Sequence, residues 1–398
     1  MTHSRFFRLP YIVREKFVCE KCGNTDPKFI GYIRGKPYCR ACISFKGISA
    51  VQKESKPKNV ILDLSYSLSR EQKELSDKII QNYKDGIDTL VYAVCGSGKT
   101  EISYGIIAYA MSKGLNVGFA LPRRDVVIEL FYRLKGAFPS NKVVAVYGEH
   151  TRCLEGDLII LTTHQLYRYP NYFDLLVLDE IDAFPFKGNH VLDAFYRRSL
   201  RGHCLMMSAT PSDSVLSEFK KEGKAILTLM TRFHKKPIPV PEVVIRYGLL
   251  KVFFVIKKLL EYRKKGKQCF VFVPTVECSK RLYSFISLFV EGGNYVSSKR
   301  EGRSDIISLF KKGRYRYLVT TAVLERGVTV KDIQVIIYKA DEKIYDSAAL
   351  IQIAGRVGRK KDAASGDVIF LCSKKTRSME KAIQEIKRCN THLQAVLS

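Results

Sequence analysis

This chain is short of negative charge. Its 39 Asp and Glu residues stand against 67 Lys and Arg, a formal net charge of +28 at pH 7. An imbalance of that size points to a polyanionic partner, most simply nucleic acid, with a basic surface that merely aids solubility as the bland alternative. Long apolar runs are missing too. No uncharged apolar stretch reaches 18 residues, so no transmembrane helix is expected. Met1 to Phe17 is basic but lacks the continuous apolar core of a secretion signal. These absences place the chain in the cytosol and leave room for peripheral attachment at the inner face of the membrane. No low-complexity tract or short-period repeat is visible. The seven histidines form no cluster. Cys95, Cys153, Cys204, Cys269, Cys278, Cys372 and Cys389 show no ligand spacing; most sit in apolar runs and read as buried free thiols.

Four cysteines do have ligand spacing. Cys19 and Cys22 form one pair and Cys39 and Cys42 the other, with 16 residues between the pairs. Two residues between thiolates let both bind one tetrahedral ion. Four protein ligands leave no open position, so the expected metal is a structural zinc. Two disulfides are the alternative, disfavoured in a cytosolic chain. Gly23 relieves the turn after the first pair, and Lys28 to Tyr38 reads as the β-hairpin of a zinc ribbon. Around it, Arg5, Arg8, Arg14, Lys16, Lys21, Lys28, Arg34, Lys36 and Arg40 alternate with Phe6, Phe7, Tyr11, Phe17, Phe29, Tyr32 and Tyr38. That mixture suits base stacking with phosphate neutralisation. It suits the core of a small domain equally well. The zinc-binding unit is assigned to residues 1–58.

At 398 residues the chain has room for two or three domains, each with its own core. Lys53 to Asn59 is polar, contains Pro57 and reads as a linker. Beyond it, short apolar runs alternate with helical patterns: Leu90–Val94, Asn116–Leu121, Val143–Val146, Leu158–Leu161, Leu175–Leu178, Cys204–Met207 and Ala225–Leu229. Strands separated by helices predict an α/β fold, a parallel sheet with helices on both faces. Pro237, Pro239 and Pro241 interrupt the pattern, so Arg232 to Pro241 reads as an extended, semi-rigid connector and hinge. The alternation then resumes through Cys269–Val273, Asn294–Val296, Tyr317–Thr320, Val335–Tyr338 and Val368–Leu371. Helices are expected over Leu249–Tyr262 and Met379–Arg388. The two α/β domains are assigned to residues 59–234 and 235–398.

The chemistry is concentrated at the strand ends. Ala93-Val94-Cys95-Gly96-Ser97-Gly98-Lys99-Thr100 lies between a strand and a helical pattern from Ile102 to Met111, the layout of a phosphate-binding loop. Gly96, Ser97 and Gly98 let backbone N–H groups face phosphate oxygens. Lys99 would reach the β- and γ-phosphates of ATP, and the Thr100 hydroxyl would hold Mg²⁺. The first position, usually Gly, is Ala93. Some 80 residues on, Leu175 to Leu178 leads into Asp179-Glu180-Ile181-Asp182. Asp179 can hold the same Mg²⁺, and Glu180 can orient and deprotonate an attacking water. Ser208-Ala209-Thr210 ends the next strand; it can link the phosphate site to another surface or simply cap a helix. In the second unit, Arg356 and Arg359 lie three apart in Gln352-Ile353-Ala354-Gly355-Arg356-Val357-Gly358-Arg359. Their planar, permanently charged groups suit a γ-phosphate on which charge develops.

Taken in order, these motifs resemble those of superfamily 2 helicases and translocases, and over residues 60–375 the resemblance implies two RecA-like domains. It carries further roles with it. Gln72, in Leu68-Ser69-Arg70-Glu71-Gln72, matches the motif that contacts adenine, and Gln352 joins Arg356 and Arg359 in completing the nucleotide site. Arg123, Arg124, Thr163, Thr320 and Thr321 fall where the family grips the nucleic-acid backbone. Ser208, Thr210 and Arg326 fall where it couples nucleic acid to ATP. More narrowly, Asp179-Glu180-Ile181-Asp182-Ala183-Phe184-Pro185, Leu324-Glu325-Arg326-Gly327-Val328-Thr329 and the preceding four-cysteine unit resemble the ComFA family of late competence ATPases. That implies a cytosolic ATPase stimulated by single-stranded DNA that helps draw transforming DNA through a membrane channel. It also implies ComFC, DprA and the ComEC channel as partners. Two rivals remain. One is a duplex-unwinding helicase of replication restart or repair resembling PriA, whose zinc region is inserted within the motor and holds two zinc sites. The other is a non-catalytic zinc-containing adaptor that bridges DNA to a complex.

Overall fold

The computed structural model describes residues 17–397, except 53–55, 65, 181–187, 298–299, 322–329 and 360–361. At its start, β1 (Ile30–Ile33) and β2 (Lys36–Cys39) pair antiparallel as the expected hairpin. Arg34 and Gly35 between them take φ of 47° and 77°, the paired positive values of a two-residue turn that matches strand twist.

Seven strands follow: β3 (Thr89–Ala93), β4 (Val117–Leu121), β5 (Val143–Val146), β6 (Leu158–Thr162), β7 (Phe173–Asp179), β8 (Leu200–Ser208) and β9 (Ala225–Leu229). They form one parallel sheet in the order β5-β6-β4-β7-β8-β3-β9. β4 and β6 are buried along their whole length, which is why their residues read as unbroken apolar runs. The helices of this domain are α1 (Arg70–Lys84), α2 (Lys99–Ile102), α3 (Tyr104–Ser112), α4 (Arg124–Ala137), α5 (His190–Ser199) and α6 (Asp213–Lys221). Ile79, Ile106, Phe119 and Leu134 pack one side of the sheet; Leu90, Ile159, Leu176, Phe195 and Phe219 pack the other.

The second domain repeats the plan. β10 (Glu242–Ile245), β11 (Gln268–Phe272), β12 (Gly293–Val296), β13 (Tyr317–Thr320), β14 (Ile333–Tyr338) and β15 (Val368–Cys372) make a parallel sheet ordered β10-β15-β14-β11-β13-β12. Its helices are α7 (Leu250–Lys264), α8 (Val276–Ile286), α9 (Arg303–Lys311), α10 (Ser347–Ala354) and α11 (Arg377–Leu397). Among the described residues no helix is long and apolar enough to cross a membrane.

Three local features go beyond what the sequence led us to expect. First, the stretch between the expected linker, Lys53–Asn59, and α1 is packed rather than free. Val60, Leu62 and Leu64 pack on the first domain's core, and the Asp63 N–H donates to the Ala137 carbonyl at 2.9 Å. Second, the connector is not an open spacer. Arg232 is 2% exposed, and Ile238 is pinned by both amide ends of Asn390 on α11, at 2.8 and 2.9 Å. The prolines stiffen a segment whose polar groups are already engaged. Third, β10 is a strand that the sequence hid. Its four residues between prolines and Tyr247-Gly248 are too few to show a period, and they become a strand by adding to the edge at β15.

Candidate active site and metal centre

β3 runs directly into the glycine-containing loop. Gly96 and Gly98 take φ of 85° and 83°, a left-handed conformation that costs other residues roughly 1–2 kcal/mol. The helix expected from Ile102 is two pieces, α2 and α3, meeting at Ser103, whose hydroxyl donates to the Thr100 carbonyl at 2.7 Å. Gln72 does not face the cavity beside this loop. Its Nε2 donates to the Ser97 carbonyl at 2.7 Å, and its Oε1 accepts from the Ser69 N–H at 2.9 Å as part of the capping box of α1. Both amide ends are thus engaged, and Gln72, for which the resemblance implies an adenine contact, braces the phosphate loop from the first turn of α1.

Asp179 ends β7 and Glu180 follows it with φ of 62°. A non-glycine residue in that region is strained, and such strain gathers at functional sites. Two acceptors hold the turn: the Glu180 N–H donates to Asp179 Oδ1 at 2.8 Å and to the Met207 carbonyl at 3.1 Å. Ile181 and Asp182 lie outside the described residues. Ser208 ends β8 beside β3; its hydroxyl accepts from the Thr210 N–H at 3.0 Å. Arg326 lies outside the described residues.

The second domain supplies the opposite wall. Gln352 lies on α10, and Arg356 and Arg359 follow its end. The Cys95 thiol donates to Gln352 Oε1 at 3.1 Å, and Arg359 Nε donates to the Gly355 carbonyl at 3.0 Å. A cavity of about 520 Å³ is lined by Gly96, Gly98, Lys99, Thr100, Asp179 and Glu180 from one domain and by Gln352, Arg356 and Arg359 from the other. Glu101, Glu129, Arg133 and Phe233 line it too, and sequence reasoning missed them. Arg133 and Glu101 are ordinary helix positions until the fold sets α4 beside α2 and pairs them. Phe233 had only its place in the connector as a signal.

The residues expected at the nucleic-acid backbone separate by burial. Arg124 is exposed, with its guanidinium 5.1 Å from the centre of the Tyr147 ring, and Arg123 precedes it at the start of α4. Thr163 and Thr320 are 2% and 0% exposed. Thr163 opens a short 3-10 turn, Thr163–Arg168, packed against α5, while the Thr320 hydroxyl donates to the Thr321 carbonyl at 3.0 Å. Thr321 is itself buried.

The four cysteines converge as their spacing implies. The sulfur atoms of Cys19, Cys22, Cys39 and Cys42 all lie within 4.8 Å of one another, and two separations are 3.5 and 3.6 Å. Tetrahedral bonds of about 2.3 Å to zinc would set sulfurs about 3.8 Å apart. All four thiols are buried and none is in a disulfide, so the donor set fits one thiophilic tetrahedral ion. The hairpin's aromatics divide between the two roles left open by the sequence. Phe29 and Tyr32 are 46% and 64% exposed, whereas Phe17 packs inward. This unit is docked on the first domain. Phe45 meets Phe195 and Tyr167 with ring centres 4.9 and 5.6 Å apart, Tyr167 Oη donates to the Lys46 carbonyl at 2.6 Å, and Arg168 donates to the Ile48 carbonyl at 2.8 Å.

Comparison with known proteins follows the same division. Residues 71–219 match the DEAD/DEAH box helicase family and residues 251–361 match the helicase conserved C-terminal domain. The chain is 32% identical to the competence protein ComFA of Bacillus subtilis, over 95% of this chain and 87% of that protein. It is 31% identical to the competence protein ComFA of Streptococcus pneumoniae, over 96% of this chain and 93% of that one. Among solved structures, Saccharomyces cerevisiae Dbp5 bound to RNA and ADP BeF3 superposes with a TM-score of 0.64 at 16% identity. That superposition covers 83% of this chain and 98% of Dbp5, a likeness of fold.

Proposed function

The chain belongs to the ComFA family of superfamily 2 helicase-type ATPases, and on that premise we propose that it is an ATP-driven motor on single-stranded DNA that helps bring transforming DNA into the cell. The observation that carries the reading is the cavity shared by both domains, with phosphate-loop and carboxylate residues on one wall and two arginines on the other. ATP binds there. Lys99 neutralises its β- and γ-phosphates from the head of α2. Thr100 and Asp179 hold a magnesium ion, which offsets phosphate charge. Glu180 orients the attacking water and takes its proton. Arg356 and Arg359 stabilise the charge that develops on the transferring phosphoryl group. Because the site is complete only when both walls meet, hydrolysis and release reopen the cleft and move the domains against each other.

The DNA part of the reading draws on charge and exposure. The net charge of +28 favours a polyphosphate track. Arg124, and Phe29 and Tyr32 on the hairpin, are exposed groups able to meet a phosphate or stack a base. The four-cysteine centre holds zinc in a structural role. A cytosolic place at the inner face of the membrane, with ComEC, ComFC and DprA as partners, completes the proposal. The test is ATP hydrolysis without nucleic acid, then with single-stranded DNA, duplex DNA or RNA, each at two salt concentrations. Strong stimulation by single-stranded DNA that weakens with salt supports the motor. Preference for RNA, or no turnover under any condition, rejects it.

A further inference from the structure

Arg232 stands in the connector, yet it is among the most buried side chains of the protein. Its Nη1 donates to the carbonyls of Val357 and Gly358 at 3.0 and 2.8 Å, and its Nη2 to that of Gly355 at 3.3 Å. Those carbonyls belong to the turn that follows α10, the turn that bears Arg356 and leads into Arg359. Carbonyls at the end of a helix lack partners within it and carry the negative end of its dipole. A guanidinium meets both needs with a planar fork that reaches three acceptors, which a lysine ammonium in the same place does not match.

The same short segment also holds the phosphate loop. The Phe233 N–H donates to the Gly96 carbonyl at 3.2 Å, and the Arg232 side chain lies against Gly96, 3.7 Å from where a Cβ would stand. His234 adds a third tie. Its Nε2–H donates to the Gly358 carbonyl at 2.9 Å while its Nδ1 accepts from the Lys236 N–H at 3.2 Å, which sets the tautomer. Packing on the far side is equally close. A Cβ at Gly358 would fall 3.1 Å from Arg232 Nη1, and one at Gly355 would fall 2.7 Å from the Cβ of Cys95. Burial, then the neighbouring Arg359, lowers the Arg232 pKa to about 10, so the group stays charged at neutral pH. A buried cation beside a second cation is costly unless its bonds compensate it. Arg232 itself does not line the nucleotide cavity.

We propose that Arg232 is a positioning residue of the ATP site: it fixes the turn bearing Arg356 and Arg359 against the phosphate loop when the domains are closed. The inference rests on the reading of those two arginines as the residues that complete the site. Acting through them, Arg232 governs turnover of bound nucleotide rather than its affinity.

Arg232→Lys and Arg232→Gln, made in the full chain, test this by steady-state ATP hydrolysis with saturating single-stranded DNA and by binding of a fluorescent non-hydrolysable ATP analogue. The expected result is a fall in kcat of about tenfold or more, with KM and analogue affinity within about threefold of the parent. A kcat within about twofold of the parent in both variants overturns the inference. So does a parallel loss of kcat, analogue affinity and thermal stability, the mark of a merely structural group. Arg356→Ala and Arg359→Ala are measured alongside. Normal turnover in both removes the underlying reading. Lost turnover there, with normal turnover in the Arg232 variants, removes this inference alone.

Discussion

Lys99 and Glu180 carry the proposed chemistry on the first domain's wall of the cavity, one toward phosphate and the other toward water, so each has its own expected signature. Lys99→Ala or Glu180→Gln should lower ATP turnover by roughly 10²–10⁴-fold while leaving affinity for single-stranded DNA nearly unchanged. Hydrolysis at the parental rate in either variant would sink the assignment. Gly355 supports a steric test. Its φ of −62° suits alanine, so Gly355→Ala adds no backbone strain, but its Cβ would stand 2.7 Å from that of Cys95 across the domain seam. The variant should fold with its thermal midpoint nearly unchanged and turn over ATP about tenfold or more slowly. Cys95→Gly in the same chain should recover much of the rate; failure to recover would mean that the seam does not close on this contact. His234 adds a pH dependence. Burial, then Arg232, holds its pKa below the ordinary 6.5, with Lys236 acting in the same direction. The unfolded chain therefore takes up this proton first as pH falls. The stability His234 contributes is full above about 6.5 and is lost as pH drops toward the folded value. Thermal melts of His234→Gln against the parent should show the two converging with falling pH; a constant gap would rule the titration out.

At the scale of elements, the metal unit and its docking are separate questions. The hairpin and the four thiols were legible because both rest on local spacing: two residues within each pair, 16 between pairs, and Arg34-Gly35 at the turn. The docking was not legible, because the partners of Phe45 lie at Tyr167 and Phe195, more than a hundred residues away. Cys19→Ser or Cys22→Ser should release one equivalent of zinc per chain and unfold the hairpin while the α/β domains keep their transition. Full retention of zinc would contradict the four-thiol centre. Phe45→Ala should leave zinc bound yet loosen the unit, costing roughly 1–3 kcal/mol for a partly buried ring. Limited proteolysis should then cut the stretch before Val60 faster; an unchanged cutting rate would show that the backbone bonds from Tyr167 and Arg168 suffice.

Across the whole molecule, contacts at several points join the two domains. Arg303 at the head of α9 pairs with Asp125 at the head of α4. Glu385 and Arg388 on α11 share the Tyr92 hydroxyl on β3, at 2.5 and 3.3 Å. The domains are thus joined by an exposed ion pair that salt screens and by a partly buried hydroxyl–carboxylate bond that it screens less. DNA is the other partner that salt should disturb. The DNA concentration giving half-maximal ATPase should rise with salt, with a log–log slope near 0.7 per phosphate contacted for a single strand. A flat dependence would remove the phosphate-contact reading, whatever the net charge.

What the sequence determined by itself was everything carried by short range. Most of the parallel strands are buried and therefore apolar runs, so twelve of the described strands of the two large sheets were visible, and the four-residue β10 was not. A phosphate loop needs glycines and Lys-Thr in succession, and metal ligands need their spacing, so Gly96 to Thr100 and the four cysteines could be named from the chain alone. The tertiary structure decided what depends on which surfaces meet. It turned Gln72 onto the phosphate loop, buried Thr163 and Thr320, and paired Arg133 with Glu101. It also took Arg232 from a proline-rich connector and set it beneath the turn that carries Arg356. The physical reason is that a side chain's burial and partners are properties of the packed neighbours. Those neighbours lie on average far along the chain, where no local pattern records them.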